Sequence, residues 1–206
     1  MGIMGAVLGL PKDRPQELLE PMHAALSGKI PSTHWHKAKL RKDPPEQLPQ
    51  VVKSSQKQEK NTKPEKATLI TQEWLFNPSY EVWVGLPEPY HARLETRIKE
   101  RNWYFQPSLG LSEMMADIEY LNQVEAQELP PGTYSVETVI KQDCVRLDIE
   151  KCYNEKLAIN LLRMPRTVTA DRVFSHADYY MEKDARPILL NTSEAYLGGE
   201  RVLMFL

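Results

Sequence analysis

A chain of 206 residues with 41% apolar and 26% charged side chains and a formal net charge of -2 is long enough for one large domain with a real core. That composition excludes wholesale disorder. So small a net charge also excludes a whole-protein positive field, so any hold on a polyanion has to come from a local patch.

The chain opens with Gly2, Gly5 and Gly9 interleaved with Ile3, Met4, Val7, Leu8 and Leu10. This pattern predicts a buried helix packed closely against a neighbour and ended by Pro11. At ten residues the run is far short of the roughly 20 that a membrane helix needs, and no basic stretch precedes it as in a signal peptide. Asp13 is placed to cap a short helix through Leu18 and Leu19 that Pro21 interrupts, and Gly28 suits a helix end.

From Ser32 to Lys66 the sequence carries Pro44, Pro45, Pro49 and Pro64 among serines, glutamines and lysines, with apolar anchors only at Trp35, Leu40, Leu48, Val51 and Val52. It predicts a long protruding loop or hairpin, and segments of this length are usually functional. Between Lys29 and Lys66 stand ten basic residues against four acidic ones, a local charge of +6 that leaves -8 on the rest of the chain. The charge is therefore split between a basic segment and an acidic body.

Thr68 to Phe76 and Tyr80 to Leu86 alternate in polarity and flank Asn77-Pro78-Ser79, which predicts a hairpin. Tyr90, Leu94 and Ile98 recur at helical spacing within Pro87 to Asn102, with Arg93, Glu95, Arg97 and Lys99 supplying charge pairing on the other faces. Asp117 and Glu119 fall two apart in a strand-like stretch without a third ligand, a structural pair of acids. Further strands are expected at Tyr134 to Ile140, Val145 to Ile149 and Val202 to Leu206, the last after a Gly198-Gly199 turn.

Cys144 and Cys152 have neither a second pair nor a spaced histidine set, so they read as reduced cytoplasmic thiols and imply no zinc site. His34-Trp35-His36 lacks a carboxylate or cysteine partner and suits stacking or packing better than a metal. Trp74, Trp83 and Trp103 lie beside apolar alternation and fill a core or an interface. The residues imply no cofactor.

Helix, strand pair, helix, then strands is an α+β, ferredoxin-like (RRM-like) order with its first strand absent. Four blocks add to it. They are Gly2-Ile3-Met4-Gly5-Ala6-Val7-Leu8-Gly9-Leu10; Phe76-Asn77-Pro78-Ser79-Tyr80-Glu81-Val82-Trp83-Val84; Tyr104 through Gly110-Leu111-Ser112-Glu113 to Tyr120; and Met164-Pro165-Arg166 with Asp171-Arg172. In this combination the chain resembles the fifth family of CRISPR-associated proteins in its type I-B form, part of the RAMP superfamily of repeat-associated RNA-binding proteins.

The resemblance implies a truncated ferredoxin-like core at 1–31, a basic thumb-like insertion at 32–66, and the rest of the core with a C-terminal β elaboration at 67–206. The family's opening strand, polar turn and proline-rich run have no counterpart before the glycine helix. The implied function is that of a non-catalytic subunit of the cytoplasmic surveillance complex (Cascade). It would grip the 5′ handle of the guide RNA (crRNA), cap the backbone subunits, meet the large subunit and lie by target DNA near the PAM.

The thumb carries over to His34, Trp35, His36, Lys37, Lys39, Arg41 and Lys42, with Lys53 further along the same basic segment. Phosphate contacts from Lys and Arg, with base stacking on planar groups, are how a single RNA strand is held. Arg166 and Arg172 are candidates for RNA contact, with pairing to carboxylates such as Asp171 or Asp178 equally open. Two alternatives stand beside this reading. One is a metal-independent endoribonuclease that processes precursor crRNA with His34, His36, Lys37 and Tyr104; the other is a protein scaffold without RNA.

Overall fold

The structure is a computed structural model that describes residues 1–12, 14–41, 67–110, 114–169, 171 and 173–206. Asp13, Lys42, Lys53, Arg172 and the Leu111-Ser112-Glu113 motif lie outside the described residues. The chain divides into two compact units, one of Met1–Ile30 with Ser79–Leu206, the other of Pro31–Pro78. The second unit thus takes in Ala67 to Phe76, beyond the boundary at 66 expected from the sequence. The described residues form a mixed α+β structure of small antiparallel sheets with few helices. None of these helices is long and apolar enough to cross a membrane.

In the first unit, α1 (Gly2–Leu8) ends at Gly9, whose φ of 74° is the left-handed cap that glycine adopts without strain. Its Val7 and Leu8 are buried with Leu19 of α2 (Pro15–Leu19), Leu86, and Leu94 of α3 (Tyr90–Lys99). Tyr90 and Ile98 pack against the same cluster, so the apolar stripe of α3 is the predicted one. Beneath lies β1 (His23–Gly28), antiparallel to β4 (Tyr80–Gly85).

Two expectations are corrected here. Gly28 closes a strand, not a helix: a Cβ at this position would stand 2.7 Å from the Ser79 carbonyl and 2.6 Å from the Tyr80 ring, so only glycine lets the two strands meet. The predicted hairpin is also absent. β3 (Ala67–Phe76) pairs over ten residues with β2 (Ser32–Arg41), while β4 takes β1. Asn77 at φ 49° turns the chain and Pro78 offers no N–H, so the ladder of β3 cannot run on into β4.

The remaining strands build three sheets: β7 (Ile140–Lys141), β10 (Phe174–Glu182) and β9 (Ile159–Val168); β6 (Gly132–Val136), β11 (Ile188–Thr192) and β8 (Val145–Leu147); β13 (Arg201–Leu203), β12 (Tyr196–Gly198) and β5 (Ala126–Glu128). The long β9–β10 ribbon was not foreseen. The strand expected at Tyr134 to Ile140 is two short ones, and Ile149 begins a helix, α4 (Ile149–Asn154), capped by the Asp148 carboxylate accepting from the Lys151 N–H at 3.0 Å. Asp117 and Glu119 lie in no strand; Asp117 pairs with Arg101.

Val136, Ile140, Cys152, Ile188, Leu190 and Met204 form one buried cluster, and Val139, Tyr179 and Met181 another that Leu26 of β1 joins. The free edge of β1 is tied down as well: Leu26 O accepts from Val139 N at 2.7 Å, and Ala24 O from Leu206 N at 2.9 Å.

Glu182 is buried at the end of β10. Its carboxylate accepts from the N–H groups of Ala158, Asp184 and Arg186 and from the Arg186 guanidinium. The same guanidinium donates to the carbonyls of Glu155 and Lys156, which fixes the loop after α4.

Candidate nucleic-acid interface

Successive side chains of a strand point to opposite faces. Along β2 this puts Thr33, Trp35 and Lys37 on one face and Ser32, His34, His36 and Ala38 on the other. The register with β3 adds Leu75, Glu73, Thr71 and Leu69 to the first face, and Phe76, Trp74, Gln72 and Ile70 to the second.

On the first face Trp35 is 62% exposed, an unusual placement for the largest apolar side chain, and Lys37 beside it is exposed too. Leu69 and Leu75 are also open to solvent. Further along the ribbon the backbone of Lys39 pairs with that of Leu69 and the backbone of Arg41 with that of Ala67, so the sequence carries a cation at every second position from Lys37.

The second face is packed differently. The His36 ring lies 4.6 Å from that of Trp74, tilted by 34°, and Trp74 Nε1 donates to Gln72 Oε1 at 3.3 Å. Trp74 is half-buried, as are Ile70 and Gln72. The two histidines that flank Trp35 in sequence therefore face away from it. Among the described residues of that face Trp35 is the aromatic one, because a strand separates sequence neighbours by its pleat.

Among the described residues no three His, Cys, Asp or Glu side chains gather in a way that could hold a metal ion.

Arg166 belongs to the first unit, at the irregularity in β9 opposite Ser175 and His176. Its Nη2 donates to the Leu206 carbonyl oxygen at 2.7 Å, and the side chain stays exposed. Arg163 stands directly across from Asp178. Sequence reading passed over Leu69, Leu75 and the His36–Trp74 contact. Only the register of β2 with β3 reveals them, and alternation in a single strand does not name its partner.

Compared with known proteins, the chain matches no family model, no curated protein and no solved structure. The likeness to the CRISPR-associated family rests on the four sequence blocks.

Proposed function

We propose that the chain is a non-catalytic, RNA-binding subunit of a type I-B CRISPR surveillance complex, of the fifth family of CRISPR-associated proteins. It would hold the 5′ handle of the crRNA and join the backbone subunits to the large subunit, close to target DNA near the PAM. The observation that carries this reading is the β2–β3 ribbon, where Trp35 and Lys37 share an exposed face and the same strand runs on through Lys39 and Arg41, on a unit of its own. A row of cations beside an exposed aromatic is what a single-stranded polyanion binds: the charges take phosphates and the ring takes a base. In this reading α1, β1, β4 and α3 are parts of a ferredoxin-like core, with the ribbon as its thumb.

The endoribonuclease alternative has less behind it. Acid–base cleavage needs its groups around one hydroxyl, whereas Lys37 occupies the opposite face of the ribbon from His34 and His36.

The test is a salt titration of binding to a crRNA 5′ handle. Replacing Lys37, Lys39 and Arg41 together with alanine is expected to weaken binding at every salt concentration and to flatten the log–log slope by roughly 0.7 per lost phosphate contact. An unchanged slope and affinity would remove the ribbon from the interface.

A further inference from the structure

A second aromatic surface lies within the first unit, and the ribbon does not account for it. Tyr104 is 60% exposed and Phe105 55% exposed, adjacent in sequence and set edge to face with centroids 4.8 Å apart at 73°. Exposed side chains of this size are ordinarily loose, but here the backbone beneath them is held. Tyr104 N donates to the Val7 carbonyl at 3.2 Å and Phe105 N to the Ala6 carbonyl at 3.0 Å, both at the C-terminal end of the buried helix α1.

Gly9 completes the seat. A Cβ on Gly9 would come within 2.4, 2.6 and 2.8 Å of three Tyr104 ring atoms, so the ring occupies the space that any other residue would fill. The glycine thus serves twice, once for its left-handed φ and once for the ring. Arg97 of α3 brings its guanidinium within 5.8 Å of the Tyr104 centroid and donates to the Asn102 carbonyl at 3.0 Å. A guanidinium carries five donors, so one such bond leaves others for an incoming oxygen. The neighbouring charges are neutralised locally, Lys99 by Glu95 and Arg101 by Asp117.

A ring held in place, a second ring at right angles and a cation alongside form a stacking shelf of the kind that takes an unpaired base with its phosphate. We propose that Tyr104 and Phe105, with Arg97, bind one unstacked nucleobase of the same RNA strand. This is a second contact, on the first unit, separate from the ribbon. It rests on the chain being an RNA binder but not on the ribbon being the place.

The experiment uses the full chain and a single-stranded oligoribonucleotide carrying 5-iodouridine, irradiated and mapped by peptide mass spectrometry. Cross-links are expected at Tyr104 or Phe105 as well as at Trp35, and those at the shelf should persist in Trp35→Ala. Phe105→Ala, whose side chain lies outside the buried core, is expected to lower affinity about fivefold or more without changing the melting temperature. Tyr104→Phe keeps the ring and should bind like the parent.

Cross-links confined to residues 31–78, with unchanged affinity in Phe105→Ala, would overturn the shelf and leave the ribbon standing. Cross-links at the shelf alone would support it while removing the ribbon. If Phe105→Ala binds RNA normally but loses a copurifying subunit, the surface serves a protein and the proposal fails.

Discussion

Glu182 shows how single residues hold this fold. Burial alone would push its carboxyl upward. The N–H groups of Arg186, Ala158 and Asp184 and the Arg186 guanidinium outweigh that effect and hold it below the usual carboxylate range. A carboxyl lowered in the folded state contributes stability that is present above its unfolded value and is lost as pH falls through the folded one. Melting temperature is therefore expected to drop on acidification below the ordinary glutamate range, and Glu182→Gln should flatten that dependence in thermal melts across pH. Glu182→Ala removes the acceptor of three part-buried N–H groups and of a partly exposed guanidinium, and is expected to cost about 1–3 kcal/mol in denaturant titration. Trp35 is the contrasting residue. Its ring supports nothing buried, so Trp35→Ala should leave the melt unchanged while weakening RNA binding by roughly 1–3 kcal/mol if one base stacks there.

Elements were legible from the sequence where a period and its end signals agreed. The spacing of Tyr90, Leu94 and Ile98 marked α3, and the glycine-rich run marked α1, because a helix is specified by contacts within one stretch of chain. The strands were harder, since alternation reports a face and not a partner. β3 and β4 both alternate, yet each pairs with a strand read otherwise from sequence, β1 having looked like a helix tail because Gly28 resembles a cap. β9 and β10 escaped notice because Pro165, Arg163 and Arg166 interrupt the apolar pattern, and the break in register at Ser175–His176 accommodates the extra residue. The candidate site was legible as a list of cations and one tryptophan. Its division into two faces needed the register. At this scale the central strand of the C-terminal sheets is the sensitive point. Leu190 of β11 is fully buried among Val136, Ile140 and Met204. Leu190→Ala is expected to cost about 2–5 kcal/mol in chemical denaturation.

Across the whole molecule, every buried core residue among those described belongs to the first unit; the ribbon of 31–78 contributes none. The first unit therefore owes its stability to its own three clusters. Replacing residues 31–78 with a short Gly-Ser linker is expected to leave a cooperatively melting protein with a melting temperature within a few degrees of the parent, measured by circular dichroism. A collapse of the melt would mean that the inserted unit supports the rest.

The pairing of Gly28 with Tyr80 bears on how such a chain can diversify. The two ends of the inserted stretch leave the first unit beside the same terminal rung of one ladder, so closing the gap costs little chain entropy whatever hangs between them. An arm of another length or another charge can be exchanged at that doorway, leaving both strands of the ladder as they are.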